Sequence, residues 1–361
     1  MISLYKPYMP ELLPEIDPIL HGGALAYGKW GRKFEGAIKD FIGCQEDVLV
    51  VNSFTAALQV VLSTLDIKSD DEIIASPQCC MASTQPLVTY GARVVWADID
   101  PKRGTLCPQS VESKITSKTK VIFHNHQCGY PGYIDEINEI GRRYGLIVID
   151  DCIESFGSAY KGKILGNLGT DVTVFSFQTV RLPNTIDGGG IIFKNRDLYE
   201  RAFKIRDLGV DRSTFRDSLG EINPLSDVSI HGYGVTMNEI SSYIGSCQIL
   251  DLPDLFARQR ENAEFWKKEI SEKYSHLSLL NTENCEPNYW VFGTLSDDKL
   301  SVLKHFRELG YSASGVHIPN SYYSIFGQQD ELPGVKEFYS RFLALPCGWW
   351  FKNEKCANVF A

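Results

Sequence analysis

The sequence predicts an α/β fold with a mostly parallel central sheet covered by helices, followed by a smaller α+β unit. Three observations lead there. Short β-rich runs alternate with amphipathic stretches over the first two-thirds of the chain, the signature of strands joined by helical crossovers. Those runs are continuously apolar, as expected of strands buried on both faces. Beyond about residue 250 the pattern changes to a long polar helix, two strands and another helix. The expected division is a large domain over 1–250, including an N-terminal segment, and a small C-terminal domain over 251–361.

In order, the run 47–51 reads as a strand and 55–65 as the helix after it. Further strands are expected at 72–75, 93–97, 120–123 and 146–149, with a helix over 134–144 between the last two. Strands at 172–177 and 190–193 and a charged helix near 197–206 complete the large domain. The small domain is expected to hold a helix over 255–273, strands at 277–280 and 289–295, and a helix near 299–309.

Composition narrows the classes of function. The 361 residues are 43% apolar and 22% charged, ordinary for a globular chain. No long apolar run suggests a membrane span, and the first residues lack the basic start and apolar core of a signal peptide. A net charge of −9 without a basic cluster argues against nucleic-acid binding. Ten cysteines without regular spacing or an export signal point to reduced thiols in a cytoplasmic protein.

In an open α/β sheet, ligands sit beyond the carboxyl ends of the strands, so the loops after the strands should carry the chemistry. They read NSFTAAL (52–58), SPQCCMAST (76–84), NHQCGYPG (125–132), VIDDCIESFG (148–157) and FSFQTVRLPNTIDGGG (175–190). WGRKFEGAIKDFIG (30–43), WADIDPKRGT (96–105) and HGYGVTMNEISSYIGSCQILDL (231–252) accompany them. These eight segments, in this order, resemble the DegT/DnrJ/EryC1/StrS family of fold-type-I aminotransferases, from about Gly23 to LPCG (345–348). The resemblance implies an aspartate-aminotransferase-like fold. It also implies pyridoxal phosphate (PLP) or pyridoxamine phosphate (PMP) as cofactor, and a nucleotide-linked sugar as ligand.

Residue by residue, Asp151 matches the carboxylate that keeps the cofactor's ring nitrogen protonated. Thr55, at a predicted helix N-terminus, matches a phosphate-binding threonine, although a hydroxyl there is more often a plain cap. Ser176 matches a second phosphate ligand. Met81 takes the place of the aromatic residue that stacks on the ring, a role its polarizable sulfur can partly fill.

Several positions depart from the family. Its Schiff-base lysine, four residues after FSF, is here Arg181. A Schiff base needs a neutral amine, and a guanidinium keeps its proton throughout the accessible pH range. Glu154 stands where Gln or His usually approaches the cofactor's ring oxygen. Phe54 replaces a small residue beside the phosphate, Gly234 an asparagine that reaches across the dimer interface, and Thr236 a basic residue.

Cys79, Cys80, Cys128 and Cys152 gather on the same loops, with His124 and His126 close by. Such residues can hold soft metals. Free cysteine also fills buried small-residue positions, and no metal is expected.

Three readings follow, in this order. The first is a degenerate or repurposed family member of sugar-nucleotide biosynthesis, in a homodimer or in a heterodimer with an intact paralogue. The second is a lysine-independent PLP or PMP enzyme such as a keto-deoxy-sugar dehydratase, with Glu154 or His126 as base. The third is an ordinary sugar aminotransferase with a displaced lysine.

Overall fold

The computed structural model describes residues 1–327 and 330–351. The strands are β1 (Val48–Val51), β2 (Glu72–Ala75), β3 (Arg93–Trp96), β4 (Thr119–Asn125), β5 (Ile147–Cys152), β6 (Ala159–Tyr160), β7 (Lys163–Ile164), β8 (Val172–Ser176), β9 (Gly189–Phe193), β10 (Ser278–Leu279), β11 (Cys285–Glu286), β12 (Phe292–Leu295) and β13 (Phe342–Leu345). The helices are α1 (Ile16–His21), α2 (Lys29–Ile42), α3 (Phe54–Thr64), α4 (Met81–Tyr90), α5 (Pro108–Ser113), α6 (Ile134–Tyr144), α7 (Arg196–Arg206), α8 (Glu239–Lys273), α9 (Lys299–Glu308) and α10 (Pro333–Arg341).

A seven-stranded sheet in the order β1-β9-β8-β5-β4-β2-β3 forms the centre. β8, β5, β4, β2 and β3 run parallel, whereas β9 is antiparallel to both its neighbours. Side chains alternate between the two faces of each strand. Ile149, Phe123 and Val174 pack with α3 and α7 on one face, while Val148 and Ile122 pack with α5 and α6 on the other. This alternation sends Asn125, Asp151 and Ser176, at the carboxyl ends of β4, β5 and β8, toward the α3 face. His124 and Asp150 turn the other way.

The long helix differs from expectation. α8 has 35 residues and runs straight through Pro253, so the expected boundary between 1–250 and 251–361 falls inside a helix. Proline costs the helix one hydrogen bond and a steric clash. An apolar face holding Ile249, Leu252, Leu255, Phe256 and Trp266 offsets that by burial on both sides of the proline. Asn238 caps the helix, accepting from the Ser241 amide at 2.8 Å.

Beyond α8 a three-stranded antiparallel sheet, β10-β12-β13, packs with α9 and α10 around Trp266, Phe306 and Phe338. Ile2 and Leu4 lie in the same core, so the first residues pack with the C-terminal unit rather than with the large sheet. The strap is tied by Ile2, whose amide donates to Gly310, and by Trp350, whose indole donates to the Ser3 carbonyl. Among the described residues, no helix is long and apolar enough to cross a membrane, and every cysteine is a free thiol.

Candidate functional site

β4 and β5 are parallel neighbours in which His124 pairs with Asp150 and Asn125 with Asp151. The two pairs therefore face opposite sides of the sheet. On the α3 side, Asp151 is fully buried; its Oδ2 accepts from the Asn125 amide at 2.5 Å and its Oδ1 from the Ile153 backbone at 3.1 Å. Among the described residues no ion pair to Asp151 occurs. Burial pushes its carboxyl up to about 6, against the pull of these donors.

On the opposite side, His124 Nδ1 meets Asp150 Oδ1 at 2.9 Å, and Thr170 donates to Oδ2. His126 joins this buried group, on the side of the sheet away from Asp151. Its Nδ1 accepts from the Gly132 amide at 3.0 Å, which leaves the proton on Nε2, 3.7 Å from Asp150. Burial depresses it to about 3 despite the nearby Asp150 charge. The Nδ1 lone pair is occupied and Nε2 carries the ring proton without a hydrogen-bond partner among the described residues, so no free lone pair is available to take up a substrate proton.

The loop after β5 carries Glu154. Its Oε2 accepts from the Cys128 amide at 2.9 Å, and its Oε1 lies 2.8 Å from His317 Nε2 and 3.6 Å from Arg181 Nη2. Burial alone would raise this carboxyl. His317, Arg181 and the Cys128 amide outweigh burial and hold it below the ordinary range. A carboxylate stabilised in this way is a weak base, which counts against Glu154 in that role.

Arg181 is 7% exposed and lies over the Trp290 ring, its guanidinium carbon 4.5 Å from the ring centroid. Its Nε and Nη1 have no hydrogen-bond partner among the described residues. Trp290 is held by an indole bond to the Val180 carbonyl, and Tyr5 of the N-terminal strap stacks on it at 4.6 Å. Ser176, whose hydroxyl accepts from the Gln178 amide, joins Glu154, Arg181 and Trp290 around a cavity of about 10 Å³. That is room for about one water molecule.

Thr55 and Met81 lie elsewhere, lining a shallow groove of about 340 Å³ between α3 and α4. Ser53, not Thr55, caps α3, accepting from the Ala56 amide. Phe54 does not block a pocket mouth; it is buried in the apolar core beneath α3. Gly234 is exposed and pairs with Asp207 in an isolated bridge. The structure thus brings Glu154, Ser176 and Arg181 together around one small cavity, buries Asp151 against Asn125, and lines a second groove with Thr55 and Met81. His317, Trp290, Asn125 and Tyr5 were not singled out by sequence reading. A sequence signal was weak even for Asn125, whose polarity at the end of an apolar strand was its only mark.

Residues 9–361 match the DegT/DnrJ/EryC1/StrS aminotransferase family. The GDP-perosamine synthase of Escherichia coli O157:H7 is 33% identical over 273 residues, 74% of this chain and 70% of that protein. The uncharacterized protein MJ1066 of Methanocaldococcus jannaschii is 28% identical over 359 residues, 95% of this chain and 92% of that one. Among solved structures, the sugar aminotransferase CalS13 from Micromonospora echinospora superposes with a TM-score of 0.90 at 27% identity, covering 97% of this chain and 95% of that one.

Proposed function

This chain belongs to the DegT/DnrJ/EryC1/StrS aminotransferase family, and on that premise we propose that it is a non-transaminating member repurposed within sugar-nucleotide biosynthesis. Its fold is the aspartate-aminotransferase-like type I fold of PLP enzymes. The relatives named for sugar chemistry motivate a nucleotide-linked sugar as the ligand class.

One observation carries the reading: Arg181, matched by the sequence resemblance to the lysine position, is buried against Glu154 beside a cavity of about 10 Å³. The residues present do not fit PLP. Arg181 offers no neutral amine for a covalent bond. The space beside it is far below the roughly 300–1,000 Å³ of ordinary ligand pockets.

The exposed Leu219 and Leu225, on the segment leading to Gly234, support the second part of the proposal, pairing with another subunit. The partner is a second copy or an intact paralogue. A cytoplasmic location belongs to the same proposal.

A second reading, lysine-independent use of PLP or PMP, draws support from Asp151, a buried carboxyl without a cationic partner among the described residues. One titration separates the two. Purified protein mixed with PLP, and separately with PMP, is followed by absorbance and calorimetry, and the PLP sample is treated with borohydride. The proposal expects no binding at millimolar cofactor. Micromolar binding of PMP would replace it by the second reading, and a borohydride-stable lysine adduct would overturn both.

A further inference from the structure

Cys128, Glu154 and His317 bring a thiol sulfur, a carboxylate oxygen and an imidazole nitrogen within 4.8 Å of one another. They arrive from three loops: after β4, after β5 and beyond α9. We propose that these three side chains form a binding site for a divalent cation of the zinc type, a site that lies beside the degenerate cofactor position and does not depend on that reading.

The donor set fits the ion. Thiolate sulfur, imidazole nitrogen and carboxylate oxygen are the ordinary zinc ligands, and three protein ligands leave a fourth tetrahedral position for solvent. Glu154 Oε1 and His317 Nε2 are already 2.8 Å apart, so an ion between them replaces their hydrogen bond with little movement. The local backbone is unusual on both sides of the site. Cys128 has φ +52° and Val316, next to His317, has φ +59°, conformations that side-chain-bearing residues rarely adopt. Gln127 points its amide at Cys128 Sγ from 3.3 Å, a donor that favours the thiolate. His317 is partly exposed, which gives the ion a route in from solvent.

On binding, the Cys128 thiol releases its proton to solvent as the sulfur–metal bond forms. Arg181, 3.6 Å from Glu154, opposes the ion, and the two anionic ligands offset it. The other grouping of this kind among the described residues, His124, His126 and Asp150, is sealed from solvent, with Gly132 and Thr170 already bonded to it.

The test is a Co²⁺ titration of the full-length, reduced, metal-free protein, followed by Zn²⁺ competition. The expected result is one equivalent bound, with a thiolate-to-cobalt band in the near ultraviolet and tetrahedral ligand-field bands in the visible. C128S and H317Q should each remove or alter these bands and weaken binding by about a hundredfold or more, beyond the loss typical of supporting residues. C247S, on α8 and outside the site, should leave them unchanged. Absence of the thiolate band, or its persistence in both C128S and H317Q, would overturn the site. If C128S fails to fold, H317Q decides alone, because His317 is partly exposed and its replacement leaves the core intact. The readout is metal–thiolate absorption, so its failure is distinct from any result with PLP or PMP.

Discussion

The Asn125 side-chain amide donates to Asp151 Oδ2 at 2.5 Å between register partners on adjacent parallel strands, with both residues buried. The bond occupies the carboxylate from within the sheet. Replacing Asn125 with leucine, similar in shape but without the donor, should destabilise the fold by about 1–3 kcal/mol, the usual cost of stranding a buried polar group. Urea denaturation at neutral pH measures it, and a change well under that range would mean the bond contributes little.

Asp151 itself should make the protein less stable as pH rises. Its folded-state value of about 6 lies above an unfolded value near 3.9, so the unfolded chain releases this proton first. Its contribution is full below about pH 4 and is lost as pH climbs through about 6, a swing of roughly 2–3 kcal/mol. Asp151→Asn should therefore be more stable than the parent at pH 7.5 by a margin that vanishes near pH 4. Paired denaturation curves at the two pH values test this. Equal effects at both would show that Asp151 does not titrate in that window.

Glu154 works in the opposite sense. Its folded value is depressed, so its stabilisation is present above the unfolded value and fades as pH falls through the folded one. Arg181→Met should cost about 2 kcal/mol, less than the ~3–5 of a tight buried pair, because 3.6 Å is too long for a hydrogen bond and His317 still faces the carboxylate. Adding Glu154→Gln should recover part of that loss. A double-mutant cycle reads the coupling directly, and strict additivity would mean the two charges do not interact.

Pro253, exposed in the middle of α8, should be replaceable by alanine with a gain of about 1 kcal/mol or more in stability. Thermal melting of Pro253→Ala checks the continuity of the helix. A loss of stability would show that the proline's local geometry is needed.

Much of the fold was legible because strand and helix periodicities are local. The seven strands of the large sheet, β10, β12 and the helices α3, α6, α7 and α9 lie close to their expected places, since apolar runs and amphipathic stretches carry their own signal, whereas β6, β7, β11 and β13 have no expected counterpart. α8 begins sixteen residues before the expected 255–273, because the buried face that carries it through Pro253 forms only against the packed core. The orientation of β9 also escaped notice, for continuous apolar runs look alike in parallel and antiparallel strands. In the candidate site, Asp151, Ser176, Glu154 and Arg181 were singled out by their place in the motifs. His317 was missed because it stands 163 residues from the carboxylate it touches, and the metal ligands weighed from sequence were only those on neighbouring loops.

What the sequence determined by itself was the family, specified by a run of motifs in order, and the fixed positive charge that Arg181 carries wherever it lies. Only the tertiary structure decided which partners these residues meet. Asn125 engages Asp151, His317 and Arg181 engage Glu154, and Trp290 covers the guanidinium with Tyr5 stacked on its indole. Which buried polar group meets which partner depends on distances between remote segments, and these exist only once the chain has packed.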